Sequence, residues 1–293
     1  MKPIPFDYFA PTTVTEALEH LNQLGYNGKV LAGGQSLIPA MNFRKGRPGG
    51  LVDLNNIPDL AYIQPTAEGG VAIGTMTRDS AVEQSAEVAK RFPLIAEVMT
   101  YIAHPQIRNR GTFGGAIAHA DPAAQLPALS LLMNASLKIM KKGGERVVAA
   151  EDFFFGPFMT VIEPEEMLTE VVLRPLPART GSSYKQVSRQ RGGYAQVAVA
   201  SAATLNPDNT CKQVRLVLIS VGDTPILSKE ASRILVGHKA SQEAFREVAE
   251  AVVKSEIDPG SDVHATADYR RHLTRVLVER SLTEAFERAM EGV

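Results

Sequence analysis

Two glycine-rich segments in the first half of the chain constrain it most: Leu31-Ala32-Gly33-Gly34-Gln35-Ser36-Leu37-Ile38 and Asn109-Arg110-Gly111-Thr112-Phe113-Gly114-Gly115-Ala116-Ile117. Each sets a Gly-Gly pair among small or hydroxylated residues, where backbone can approach a ligand closely and offer N–H groups to an anion. One such segment would mean little. Two of them read as two walls of one site with a diphosphate between, which points to a nucleotide cofactor. Neither contains Lys, and the first lacks the Gly-Lys-Ser/Thr ending of a P-loop, so backbone donors are expected to carry the phosphate charge. The hydroxyls of Ser36 and Thr112 can add hydrogen bonds to phosphate oxygens.

The flanking pattern is mixed. Thr13 and Glu16 form a capping box for a helix carrying Ala17, Leu18, Leu21 and Leu24, stopped by Gly25 or Gly28. Residues 29–32 and 51–54 read as strands, the first feeding straight into the first Gly-Gly loop. A third strand is expected at 71–74. Thr77-Arg78-Asp79-Ser80 opens a helix running to about Lys90, and another covers 94–101. After the second Gly-Gly loop, Asp121 as N-cap with Pro122 at the first helical position starts a helix through Ala128 and Leu132. Residues 136–140 and 146–149 alternate around Lys141-Lys142-Gly143-Gly144 as a hairpin, and 167–173 is a strand stopped by Pro175 and Pro177. A polar Pro/Gly/Ser stretch at 177–183 marks a boundary. Beyond it come strands at 183–190, 197–205 and 214–221 and helices at 242–254 and 267–288, a sheet with helices on one side. The chain therefore divides into 1–57, 58–176 and 177–293, and its class is α+β.

A formal net charge of −1 argues against a nucleic-acid partner or an anionic membrane surface. No apolar run reaches the ~18 residues a membrane-spanning helix requires. Residues 1–11 lack the basic and apolar regions of an export signal, so a cytoplasmic location is expected. Cys211 is the only cysteine, placed at a hairpin turn begun by Asn206-Pro207-Asp208-Asn209. It excludes an intrachain disulfide, a cysteine-built zinc site and an iron–sulfur cluster held by this chain's cysteines alone. Metal-based redox chemistry must sit on another polypeptide.

These motifs resemble the FAD-binding medium subunits of the molybdenum hydroxylases, the group of carbon monoxide dehydrogenase, nicotine and nicotinate dehydrogenases and the flavin domain of xanthine dehydrogenase. The resemblance covers essentially the whole length. Ala32 to Leu37 is similar to the family's first pyrophosphate loop, and Thr112-Phe113-Gly114-Gly115-Ala116-Ile117-Ala118-His119-Ala120-Asp121-Pro122 to its second. The Ile107 to Arg110 lead-in and the Tyr184-Lys185 pair before Gly192-Gly193-Tyr194-Ala195 agree as well. The resemblance implies a two-subdomain FAD-binding domain of the PCMH/vanillyl-alcohol-oxidase type, followed by a C-terminal three-stranded sheet with helices of the CO dehydrogenase flavoprotein type.

Site residues carry over position by position. Leu31, Ala32, Gly33, Gly34, Gln35 and Ser36, with Gly111, Thr112, Gly114 and Gly115, match the diphosphate loops. Ile102 matches an apolar position that packs on adenine, or it is ordinary core. Asp121 matches a position near the ribose and diphosphate, although helix capping alone would explain it. Gln125 stands where many relatives place an acidic residue on the ribose hydroxyls. Leu37 and Leu168 match apolar positions flanking the isoalloxazine, with core packing the plainer explanation for Leu168. Tyr184 and Lys185 match a pair near the flavin, yet on an alternating strand they point to opposite faces. His104 and His119 lack acidic partners at a triad or metal spacing, and Arg44-Lys45-Gly46-Arg47 reads either as a solvated loop or as the rim of a partner interface. No nucleophile elbow or His-Glu-x-x-His signature occurs, so no catalytic or metal-ligating residue is assigned.

The function the resemblance implies is electron transfer in a heteromeric complex. A molybdopterin-type large subunit would oxidise the substrate, a small subunit with two [2Fe–2S] clusters would relay electrons, and this chain would hold FAD, the whole assembling as a dimer of heterotrimers. A stand-alone FAD-dependent oxidase and a flavin-free assembly or maturation protein on the same scaffold are the alternatives.

Overall fold

The structure, a computed structural model, describes residues 1–291. Three main sheets follow one another along an α+β chain, with one small two-stranded sheet besides among the described residues. In the first, β1 (Asp7–Phe9), α1 (Val14–Leu24), β2 (Gly28–Leu31), α2 (Leu37–Asn42) and β3 (Gly50–Asp53) give a parallel sheet ordered β1-β3-β2. α1 forms because Ala17, Leu18 and Leu21 fall on one buried face. Its cap departs slightly from the expected box: the Thr13 hydroxyl accepts from the Glu16 N–H at 3.2 Å, but the Glu16 carboxylate reaches back to the N–H of Thr12, at 2.8 Å, rather than to that of Thr13. Gly25, at φ +51°, stops the helix. β1 is short and largely exposed, so it carries no alternation by which the sequence could announce it.

The second region holds β4 (Ile63–Pro65), β5 (Val71–Gly74), α3 (Asp79–Gln84), α4 (Ala86–Arg91), α5 (Pro93–Met99), α6 (Pro105–Arg108), α7 (Phe113–His119), α8 (Gln125–Leu132), β6 (Ser136–Lys141), β7 (Gly144–Ala149), β8 (Phe154–Gly156), β9 (Met159–Thr160) and β10 (Met167–Leu173). Its main sheet is antiparallel, ordered β4-β5-β10-β6-β7. Three expectations are corrected here. The helix read from residue 77 to 90 is broken at Ser85, which is extended and caps α4 through its hydroxyl, 3.3 Å from the Val88 N–H. Asp121 is not a helix cap: its carboxylate accepts from the Ala123 N–H at 2.9 Å in an Asx turn, and α8 begins at Gln125. An Asp-Pro pair suits a turn as well as a helix start. The second Gly-Gly segment is itself the first turn of a helix, α7.

The third region is β11 (Thr180–Ser188), β12 (Ala195–Leu205), β13 (Cys211–Ile219), β14 (Ile226–Leu227), α9 (Lys229–Leu235), α10 (Gln242–Ser255) and α11 (Ala267–Glu291), with the strands antiparallel in chain order. The expected three strands become four, and both faces of the sheet are covered. Val197, Val199, Leu216 and Leu218 pack against Phe245, Val248, Leu277 and Phe286 of α10 and α11. The opposite face, with Ala198, Ala200, Ala202, Val217 and Ile219, joins the core that contains Leu129 and Leu132 of α8. The alternation of valine with alanine along β12 accounts for both, since small side chains let α8 approach closely. The third region is thereby fastened to the second. Cys211 is buried at the start of β13, and burial raises its thiol to about 11. Among the described residues no helix is long and apolar enough to cross a membrane.

Candidate functional site

The first glycine loop joins β2 to α2. Gly34 turns it at φ +75°, and the Gln35 side chain folds back to donate to the Gly33 carbonyl at 3.0 Å. The Ala32 carbonyl is likewise held, accepting from Asn55 Nδ2 at 2.9 Å. By contrast, the N–H groups of Gly33, Gly34, Gln35 and Ser36 have no acceptor among the described residues, and the Ser36 hydroxyl makes no capping bond. With carbonyls engaged and successive N–H groups unpaired, the loop has the donor set of an anion nest.

The second segment contributes differently. Its N–H groups are largely spent inside the protein: Phe113 donates to the Thr77 carbonyl at 3.0 Å, Gly114 to that of Thr75 at 3.1 Å, and Gly115 to the Thr112 hydroxyl at 3.2 Å. Thr112 is a buried helix cap, so its hydroxyl already serves the protein. The glycines there answer to packing. A Cβ on Gly114 would stand 2.6 Å from the Thr75 Cα, and one on Gly115 would collide with the Thr112 hydroxyl and lie 3.1 Å from the Ala32 Cβ. A Cβ on Gly111 would collide with the Asp79 carboxylate. The two glycine segments touch: a Cβ on Gly33 would strike the Arg110 carbonyl oxygen. The second segment is thus the shelf against which the donor loop is set.

Asp79 lies beneath this shelf. Its N–H donates to the Gly111 carbonyl at 3.0 Å, while its Oδ1 is buried without a partner. Burial raises its carboxyl to about 7, only partly offset by the guanidinium groups of Arg108 and Arg78. Arg108 is held by Glu83 in a two-pronged ion pair, at 2.7 and 3.0 Å, and also donates to the Ile102 carbonyl at 2.9 Å.

Ile102 itself is half-buried against the main core. Leu31 and Leu37 flank the donor loop, both half-buried. The remaining residues expected at the cofactor have partners within the protein. Leu168 is buried in β10 as core. Tyr184 is buried, edge-on to Tyr101 at 5.2 Å, and its hydroxyl donates to the side-chain Oε1 of Gln186; burial pushes its phenol upward. Gln125, also buried, donates its side-chain N–H to the same Gln186 oxygen at 3.0 Å. Lys185 points to the opposite face of β11, where its ammonium pairs with Glu284 of α11 at 2.5 Å. His119 packs its ring on Phe158, and burial lowers its pKa. Arg44 and Arg47 are exposed, Arg44 donating to the Lys2 carbonyl at 3.4 Å and Arg47 to the Arg44 carbonyl at 3.1 Å.

An open cleft of about 900 Å³ adjoins Asp121 and is lined also by Arg189, Tyr194, Gln196, Ser220 and Arg270. Tyr194 is exposed on the turn whose Gly193 carbonyl accepts from Gln186 Nε2 at 3.2 Å. Neither Tyr194 nor Gln186 was singled out as a site residue, and the signal for the first was an aromatic directly after Gly192-Gly193.

The chain as a whole has counterparts among known proteins. The family described as "FAD binding domain in molybdopterin dehydrogenase" matches residues 4–176, and that described as "CO dehydrogenase flavoprotein C-terminal domain" matches residues 182–285. The chain belongs to the FAD-binding medium subunits of the molybdenum hydroxylases. This medium subunit is 39% identical to the 6-hydroxypseudooxynicotine dehydrogenase complex subunit alpha of Paenarthrobacter nicotinovorans, over 99% of the chain and 97% of the relative. Its fold is similar to that of carbon monoxide dehydrogenase from Hydrogenophaga pseudoflava, with a TM-score of 0.95 and 37% identity over 98% of this chain and 99% of the other. Quinoline 2-oxidoreductase from Pseudomonas putida 86 follows at a TM-score of 0.92 and 32% identity, over 99% and 100% of the two chains. The medium subunit's unpaired N–H run at Gly33 to Ser36, set against the Gly111 to Gly115 shelf, suits the diphosphate of FAD, a dianion that such donors stabilise without lysine.

Proposed function

We propose that this chain is the electron-transfer subunit of a molybdenum-containing hydroxylase or dehydrogenase. The observation that carries this reading is the donor loop Gly33 to Ser36, its N–H groups unpaired and its carbonyls held, within a chain that matches FAD-binding medium subunits along its length. The residues that would hold the diphosphate are the Gly33 to Ser36 backbone and the Ser36 hydroxyl, with Gly111 to Gly115 as support. Bound FAD supplies redox chemistry that accepts electrons singly and can release them as a pair.

The organic substrate is oxidised on a molybdenum-binding large subunit, and a small subunit with two [2Fe–2S] clusters delivers the electrons. The lone, buried Cys211 supports clusters on a partner, because four thiolates are the usual cluster ligand set. Relatives named for 6-hydroxypseudooxynicotine, carbon monoxide and quinoline all match this chain along nearly its whole length, which supports substrate choice outside it. A dimer of heterotrimers in the cytoplasm completes the reading.

Affinity purification of the tagged chain from its native host, with flavin and metal analysis of the eluate, tests it. FAD, molybdenum and iron co-eluting with one larger and one cysteine-rich smaller chain are expected. Turnover of an organic substrate by the isolated chain would overturn the reading in favour of a stand-alone oxidase, and a chain that takes up no FAD would favour a maturation factor.

A further inference from the structure

The donor loop follows a strand of the first sheet, the shelf is the start of a helix in the second region, and a chain of polar side chains links them. Tyr8 of β1 donates its hydroxyl to Asp53 Oδ2 at 2.6 Å. The other oxygen of Asp53 accepts from the Asn55 backbone N–H at 2.9 Å and from its side-chain amide. Asn55 then splits: Nδ2 donates to the Ala32 carbonyl at 2.9 Å, and Oδ1 accepts from Arg78 Nη2 at 2.6 Å. The second prong of Arg78, Nη1, donates to the Arg110 carbonyl at 2.6 Å. Asn55 therefore holds a carbonyl of the donor loop, Arg78 holds a carbonyl of the shelf, and the two side chains hold each other.

Resting on the FAD reading above, we propose that Arg78 and Asn55 are positioning residues for the FAD diphosphate. They act as a clamp that sets the loop at Ala32 to Ser36 against the shelf at Arg110 to Gly115. Neither is required to touch the cofactor. The clamp draws the Ala32 and Arg110 carbonyls toward protein donors, so that these partial negative charges are neutralised beside a dianion and the N–H groups of Gly33 to Ser36 keep one orientation. The fork geometry is essential, because one guanidinium spans two acceptors that a single ammonium cannot span at once. Arg78 sits immediately before α3, beside Asp79, whose N–H holds the Gly111 carbonyl, so the shelf is grasped at consecutive carbonyls by consecutive residues.

The test measures FAD affinity of the full chain, stripped of flavin and titrated with FAD by fluorescence quenching, alongside its thermal unfolding without FAD. Arg78→Met, Arg78→Lys, Asn55→Ala and the double variant Arg78→Met/Asn55→Ala are compared with Arg91→Met. Arg91 is a control strut that pairs with Glu87 and donates to the Gly69 carbonyl at 2.7 Å, touching neither glycine segment. Arg78→Met and Asn55→Ala each weaken FAD binding about tenfold or more, as expected for lost hydrogen bonds to a charged group. Arg78→Lys fails to restore affinity, and the double variant binds no more weakly than the worse single variant, because the two residues act as a unit. Arg91→Met lowers the unfolding temperature without changing FAD affinity.

Wild-type affinity in both Asn55→Ala and Arg78→Met would overturn the clamp, as would full rescue by Arg78→Lys, which would make Arg78 a simple charge contact. Additive losses in the double variant would also overturn it. A wild-type chain that binds no FAD would overturn the flavin reading itself, an outcome distinct from all of these.

Discussion

Gly33 packs directly on Arg110: a Cβ at position 33 would collide with the Arg110 carbonyl oxygen and stand 2.7 Å from the Gly111 Cα. No rotamer relieves a backbone collision, so Gly33→Ala must push the donor loop off its shelf. Overpacking of this kind costs ~1–3 kcal/mol. Gly33→Ala is expected to lower both the flavin-to-protein ratio and the unfolding temperature of the purified chain. Full flavin occupancy in this variant would show that the contact does not shape the site.

Gly34 and Gly115 separate two causes of the same loss. Gly34 is at φ +75°, and its nearest neighbours are the Ile38 and Leu31 side chains at 3.2 and 3.3 Å, so Gly34→Ala costs ~1–2 kcal/mol of backbone strain but leaves the shelf in place. Gly115→Val strikes the Thr112 hydroxyl and the Ala32 side chain together. Gly34→Ala is expected to weaken FAD binding moderately and Gly115→Val to abolish retention, read by equilibrium dialysis. The opposite order would place the diphosphate away from the loop at Gly34.

Thr112 caps α7 with its hydroxyl and is buried, so its contribution is to hold the shelf. Thr112→Ala is expected to destabilise the chain by ~1–2 kcal/mol, with Thr112→Ser recovering most of it, in urea unfolding without FAD. Equal stability of the alanine and wild-type chains would count against the cap.

Parts of this arrangement were legible in the residues, and parts were not. The Gly-Gly pairs suggested close approach of backbone to a ligand; the approach the structure shows is to the protein itself, a Cβ at Gly33 meeting the Arg110 carbonyl and one at Gly114 the Thr75 backbone. They did not announce a helix, because glycine disfavours one locally, and α7 exists through the Thr112 cap and the bonds from Phe113 and Gly114 to Thr77 and Thr75. The second covered face of the C-terminal sheet was written in Ala198, Ala200 and Ala202, but small residues alone do not name their partner. The side chains of Gln125, in α8, and Tyr184, in β11, meet at one acceptor, the Gln186 side-chain oxygen, a convergence that no local pattern announces. Arg78 and Asn55 had no local signal at all. Their partners lie on other elements, and only the folded chain brings them together.

Asp79 gives the chain a pH dependence of definite sign. Burial raises its carboxyl from 3.8 to about 7. Between these values the unfolded chain releases the proton while the folded chain still holds it, so stability falls as pH rises from about 4 to about 7 and levels off above. Asp79→Asn cannot titrate and removes this slope. Urea unfolding at pH 5 and pH 7 is expected to show the wild type losing about 2 kcal/mol more than Asp79→Asn over that interval. Parallel pH profiles for the two chains would mean that Arg108 and Arg78 keep the carboxylate ionised throughout.

Lys185 decides whether resemblance or geometry better describes the flavin's surroundings. By position it matches a cation beside the isoalloxazine, yet its ammonium is paired with Glu284, which also accepts from Ser183 and from Arg288 Nη2 at 3.0 Å. Three donors converge on this one carboxylate, and freeing Lys185 would leave the other two in place. The pair is partly exposed, so its loss should cost less than ~1 kcal/mol of stability. Lys185→Met is therefore expected to leave FAD affinity, the flavin absorption spectrum and the reduction potential of the bound flavin at their wild-type values. A cation at the flavin would favour its anionic reduced form, so removing it would make the potential more negative. A clear negative shift in Lys185→Met, with stability unchanged, would show that Lys185 leaves Glu284 for the cofactor when FAD is bound.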